Sequence, residues 1–120
     1  MNVKLEKTAS NIMKNLSLII NEEIKDKLIK NINITHVNLS NDLSIAKIYY
    51  LILNDKKNDI QLSLDKAIPF LRTKLAEKLK IRHTPELVFV YDEAVDYGIK
   101  IEEKLKELNT NESISLKDKD

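Results

Sequence analysis

With 120 residues, 42% of them hydrophobic and 32% charged, the chain is sized for one domain around one core. It has no cysteine, which excludes disulfides, thiolate metal sites and cysteine nucleophiles, and no apolar run of about 18 residues that would span a bilayer. The net charge of +1 hides a split, because residues 66–91 carry 6 basic and 2 acidic groups while residues 92–120 carry 5 and 9. A basic face can therefore act locally, over a Debye length of about 8 Å, although the whole is near neutral.

The first element is a helix. Leu5, Ile12, Met13, Leu16, Ile19, Ile20, Ile24 and Leu28 form an apolar stripe at helical spacing. Glu6 and the continuity of that stripe favour a structural helix over a transit peptide, and no apolar signal core precedes it. Residues 32–39 read as a strand, Asn41-Asp42 as a turn and residues 43–53 as a second strand. The two should pair as an antiparallel hairpin. The second strand is apolar on both faces in its later half, which places it in the middle of the sheet, with Ala46, Ile48, Tyr50 and Ile52 facing the core.

A polar connection, residues 54–58, leads to a helix over residues 59–80 with Leu64, Ala67, Ile68, Leu71, Leu75 and Leu79 as its stripe. Pro69 lies inside that pattern, where it lacks an N–H and its ring presses on the carbonyl four residues back, so a kink is expected at Ala67-Ile68-Pro69. Thr84-Pro85 ends the helix and residues 87–91 form a third strand, parallel to the second because a helical crossover joins them. Gly98 marks a bend before a last helix at 99–108 with Ile101, Leu105 and Leu108 on its apolar edge. Residues 109–120 are polar and read as a disordered tail after a single domain spanning 1–108. The sum is an α+β domain, α-β-β-α-kink-α-β-α, with a three-stranded sheet packed by helices on one face.

These residues resemble the ribosome-binding factor A family. The likeness is carried in order by EIKD at 23–26, VNLSNDLSIAKIY at 37–49, AIPFLR at 67–72, LKIRHTPELVFVYD at 79–92 and GIKI at 98–101. The resemblance implies a type II K-homology-like fold and a bacterial assembly factor that binds the immature small (30S) ribosomal subunit. It implies contact with 16S rRNA near the decoding region, and a part in rRNA processing, late maturation and growth in the cold. No catalysis, cofactor, metal, membrane or small-molecule substrate goes with it, and a cytoplasmic monomer does. Two positions depart from the family pattern. Pro69 stands where the family has the glycine of its Ala-x-Gly kink, which preserves the bend and removes a backbone donor. Lys27 stands where the family commonly has proline.

The residues expected to meet RNA are Lys66, Phe70, Arg72, Lys74, Lys78, Lys80 and Arg82, around the kink residues Ala67 and Pro69. At about 100° per residue, Phe70, Thr73, Lys74, Glu77 and Lys80 point away from the Leu71-Leu75-Leu79 stripe. An outward Phe70 would offer a surface for an unpaired base. The plainer reading has the kink reset the helix phase and tuck Phe70 under its first half, and that reading is favoured on sequence. His83 reads as loop filler and His36 as a packed or edge residue. Asp92, Glu93 and Asp96 read as the lead into the last helix, since no glycine-turned cation loop surrounds them. With one glycine there is no phosphate loop, and no serine sits in a nucleophile elbow. A rival to RNA binding is a protein-interaction or dimerisation module that uses the first helix.

Overall fold

The computed structural model describes residues 3–52, 56–81 and 83–119, with side chains as far as 108. Its elements run α1 (Val3–Glu23), α2 (Lys27–Lys30), β1 (Asn33–Leu39), β2 (Ile45–Leu51), α3 (Lys57–Leu79), β3 (Glu86–Tyr91) and α4 (Glu93–Lys119). No helix among the described residues is long and apolar enough to cross a membrane.

The sheet has the order β1-β2-β3, with β1 antiparallel and β3 parallel to the central β2. Strand periodicity divides it into two faces. Ala46, Ile48 and Tyr50 are fully buried and Ile52 nearly so, beside Leu87 and Phe89 of β3. Against this face pack Ile12, Leu16 and Ile19 of α1 and Leu64, Leu71 and Leu75 of α3, all at 0% exposure. Each such side chain contributes about 1.5–3 kcal/mol on burial. The core takes up Ile12, Leu16, Ile19 and Ile20 of the α1 stripe, which leaves less apolar surface for the rival reading of that helix as a protein-interaction or dimerisation module.

The expected stripe to Leu28 does not belong to one helix. α1 ends at Glu23, and Asp26 starts α2 by accepting a hydrogen bond from the Leu28 N–H at 3.0 Å. That N-cap outweighs the continuing periodicity and turns Ile29, 1% exposed, into the core in place of Leu28. Lys27 occupies the first helical position of α2, the one place in a helix where proline is preferred, so the family's proline and this lysine suit the same backbone.

α3 is a single helical element with Pro69 inside it. The ring removes the N–H that would reach the Asp65 carbonyl. Ile60 and Leu64 before it and Leu71 and Leu75 after it are nevertheless buried on one continuous face. The phase is not reset, and Phe70 stays outside at 41% exposure, so the favoured tucked position for it is wrong. Residues 53–55, where the second strand was expected to end and the polar connection to begin, lie outside the described ones. The expected bend at Gly98 is absent, because Asp92 caps α4 through the Val95 N–H at 3.1 Å and the helix runs through Gly98 without a positive φ. An acidic first turn and a cap outweigh the cost of one glycine, about 1 kcal/mol. The tail expected at 109–120 falls on residues whose side chains lie outside the described ones.

Three polar arrangements tie the layers together. The buried Tyr50 hydroxyl donates to Gln61 Oε1, while Gln61 Nε2 donates to the Phe89 carbonyl at 3.0 Å and to Asp65 Oδ1 at 3.1 Å. Burial, with Asp65 nearby, pushes the Tyr50 hydroxyl up to about 12. At the hairpin turn, Asp42 Oδ1 accepts from the Ser40 and Ser44 hydroxyls at 2.8 and 2.7 Å, which holds its carboxyl at about 2. The turn thereby fixes Leu43 at φ 63°, a left-handed backbone that leucine rarely adopts. Thirdly, the Glu86 and Asp92 N–H groups bond back to the Ser44 and Tyr50 carbonyls, so even-numbered residues of β3 face β2 and odd-numbered ones face its outer edge. α3 occupies two of those outer carbonyls, Phe89 through Gln61 and Pro85 through Arg72 Nε at 3.2 Å. A strand edge is shielded in this way from pairing with other chains.

Candidate nucleic-acid interface

The seven residues expected to meet RNA do not form one patch. At about 100° per residue, Lys66, Phe70, Thr73 and Glu77 share the outward strip of α3, within about 60° of one another. Arg72 falls on the opposite flank, toward β3. Lys78 and Lys80 lie at the C-terminal end, and Arg82 is outside the described residues. Ala67 is half-buried on the core side, and Pro69 is exposed.

Their side chains differ in how far they are already engaged. Arg72 donates from Nε to the Pro85 carbonyl and from Nη2 to the Thr84 carbonyl at 2.9 Å, fastening the connection between α3 and β3. Hydrogen bonds from a charged donor are worth roughly 1.5–3 kcal/mol, so Arg72 is a positioning residue before it is an anion ligand. Lys74 is half-buried. Its Nζ lies 3.7 Å from Glu23, 3.8 Å from Glu77 and 5.8 Å from the Phe70 ring centre. Solvent-accessible pairs near 4 Å are worth up to about 1 kcal/mol, enough to bias the partly buried Lys74 and too little to hold it against phosphate. Lys66, Lys78 and Lys80 are exposed and have no side-chain partner among the described residues. Lys80 also ends the helix in left-handed conformation, φ 53° and ψ 37°, with its N–H on the Ala76 carbonyl at 2.9 Å.

A shallow groove of about 490 Å³ runs beside this end of α3, lined by Pro69, Arg72, Thr73, Ala76, His83 and Thr84. Across Arg72 it meets a larger cleft of about 800 Å³ to which α1 adds Lys4 and Thr8, the hairpin turn adds Leu43, and Ile81 and His83 border the near wall. His83, read as filler, thus lines both. Sequence offered no sign of Lys4 here, because 68 positions separate it from Arg72 and only the packing of α1 on α3 joins them. The combined furrow has Lys4 and Arg72 on two sides, the carboxylates of Asp42 and Glu86 also in its lining, and a rim made from α3, α1 and the hairpin turn. Chemically it is a furrow of mixed charge, in which Lys4 and the exposed part of Arg72 can meet an anion beside two carboxylates.

A family model described as ribosome-binding factor A matches residues 4–105. The chain is similar to ribosome-binding factor A of Phytoplasma mali, 45% identical over 108 residues that cover 87% of this chain and 95% of the relative. Its fold is similar to the crystal structure of ribosome-binding factor A from Thermus thermophilus, at a TM-score of 0.66 and 21% identity over 72% of this chain and 94% of the other. It is also similar, at a TM-score of 0.63 and 22% identity over 78% and 97%, to the Thermus thermophilus factor as fitted into a cryo-electron-microscopy map of its complex with 30S.

Proposed function

Because the chain belongs to the ribosome-binding factor A family, we propose that it binds the small ribosomal subunit, contacts 16S rRNA and assists late maturation and rRNA processing without catalysing a reaction. It works as a cytoplasmic monomer. The observation that carries this reading is the match over residues 4–105, which includes every element that builds the furrow beside α3. The charge distribution supports it. Lys66, Lys78 and Lys80 are available to phosphate without breaking an internal bond, and Phe70 stands exposed one turn from Lys66.

Several separate phosphate contacts make affinity fall steeply with salt, each neutralised phosphate adding about 0.7–0.9 to the slope of log affinity against log salt. Reversing Lys66, Lys78 and Lys80 together to glutamate should reduce co-sedimentation with small subunits at least tenfold and flatten the salt dependence, with the fold intact by circular dichroism. Undiminished co-sedimentation of a folded triple variant sinks the proposed face.

A further inference from the structure

Among the described residues, the side of the sheet opposite α1 and α3 is open except at the Asn33–Leu51 row, which shares a cleft with α4. Along β1 it shows His36 and Asn38, along β2 Ile45, Lys47 and Tyr49, and along β3 Glu86, Val88 and Val90, paired across the strands in rows. One row is unlike the others. His36 and Tyr49 are direct cross-strand partners whose rings stack at 4.2 Å between centres and 10° between planes. Because they stack from strand to strand, the axis of the stack crosses the sheet. Its free end lies at His36, on the outer edge of β1, where no further strand follows among the described residues.

An exposed imidazole on an edge strand would ordinarily sample several rotamers. The His36 side chain is 55% exposed and yet is held on one face by the Tyr49 ring and at Nδ1 by Thr35 Oγ1 and Asp92 Oδ2, each 3.4 Å away. Asp92 is itself 3% exposed and fixed from behind, accepting from Thr35 Oγ1 at 2.5 Å and from the cap N–H of Val95. A bulge between Ile34 and His36 sets the whole arrangement. A flat ring pre-positioned in solvent loses little entropy when another ring joins it.

We infer that the His36–Tyr49 pair is a stacking platform for one unpaired RNA base at the outer edge of β1, with Lys47 placed for the adjoining phosphate. Lys47 follows on the same face, two residues or about 7 Å along β2 from Tyr49, and is exposed without a side-chain partner among the described residues. The charged groups facing the platform are Lys47, the more distant Glu86, and Asp92, whose carboxylate is already occupied. A protein partner fits less well. The exposed aliphatics of this face are Ile45 and Val88, at 38% and 39%, with Val90 half-buried beside them, too few for a desolvated interface centre. The inference rests on the RNA reading given above and goes beyond it, because this face lies on the other side of the sheet from α3.

The test uses the full chain and a short unstructured RNA of about eight nucleotides carrying one 2-aminopurine, whose fluorescence is quenched on stacking. Wild type should bind and quench. His36→Ala should weaken binding about 5- to 150-fold, the range found for base-on-ring stacking, and abolish the quench. His36→Phe, which keeps a ring, should restore both to within about threefold. Thermal melting establishes that each variant folds; should His36→Ala fail to, Lys47→Glu must still weaken binding several-fold at low salt. Equal binding by wild type and His36→Ala overturns the platform, as does no rescue by phenylalanine. Failure of the wild type to bind the oligonucleotide while it still co-sediments with small subunits also overturns it and leaves the proposed function standing. Loss of small-subunit binding by His36→Ala with oligonucleotide binding unchanged would make this face a protein contact instead.

Discussion

The outer strip of α3 and the open face of the sheet offer similar groups, a ring beside one or more lysines, and hold them in opposite ways. On α3 the Phe70 ring has Lys74 leaning over it at 5.8 Å, and Lys74 divides its charge between Glu23 and Glu77 through pairs near 4 Å. On the sheet His36 is stacked at 4.2 Å, with its Nδ1 3.4 Å from a buried carboxylate. The helix offers exposed lysines on long stems, which on the proposed RNA-binding role would attract a backbone at a distance and adapt to it. The sheet supplies a ring whose position is settled beforehand. Attraction by the first should depend strongly on salt, and stacking on the second hardly at all.

Arg72 is where the distinction between charge and role can be broken most sharply. Counted by sequence it belongs with the RNA-facing cations; by its bonds it fastens the connection leading into β3. Arg72→Ala should destabilise the fold by about 2 kcal/mol, since two charge-assisted bonds are lost and the edge carbonyl of Pro85 is uncovered, and should lower the midpoint of chemical denaturation accordingly. Arg72→Lys keeps the charge and should recover less than half of that stability, because a single ammonium cannot span both carbonyls. Should Arg72→Ala leave the midpoint unchanged and instead flatten the salt dependence of subunit binding, Arg72 would rejoin the ligands.

Pro69 gives the next largest effect, with the opposite sign. Alanine there restores a helix N–H toward Asp65 and removes the clash, so Pro69→Ala should stabilise by about 1–2 kcal/mol, below the roughly 3 kcal/mol cost of proline in an isolated helix because α3 has already accommodated it. If the furrow depends on the geometry proline imposes, the more stable variant will bind small subunits less tightly. Equal or tighter binding would show that proline is merely tolerated there. Smaller again is Lys80→Gly, which relieves a left-handed residue by about 1 kcal/mol while removing one cation. Calorimetry should show a rise in midpoint together with a salt slope reduced by about one phosphate contact.

Much of this was legible in the chain. Alternation over residues 32–39 and 43–53 gave the hairpin and the central strand, and the crossover length gave the parallel third strand, since these follow from one-dimensional periodicity. The α1–α2 break was hidden because the apolar spacing continues across it, and only Asp26, a capping side chain between two lysines, signals the interruption. Arg72 looked like a ligand because its partners are backbone carbonyls, which carry no sequence signature. The His36–Tyr49 stack needed the bulge. Counting alternately from Ile34, His36 would point into the core, and the extra residue Thr35 turns it out.

The smallest effect tests the lock behind the platform. Asp92 joins the bulge to the start of α4, and its carboxyl is held below the usual carboxylate range, chiefly by the hydrogen bond from Thr35, against the opposing effect of burial. A carboxyl whose folded pKa lies below its unfolded value, 3.8, adds stability that is complete above about pH 4–5 and disappears as pH falls through the folded value. Asp92→Asn should thus cost about 1 kcal/mol or less at neutral pH, because asparagine still caps α4. Its stability should fall less steeply than that of wild type below about pH 4, and the two curves should converge in strong acid. Parallel curves through that window would mean that the carboxylate charge contributes nothing to the lock. His36 would then be held by its stack on Tyr49 and its contact with Thr35, and the sheet face would resemble the loosely held Phe70 ring of α3 more than its geometry suggests.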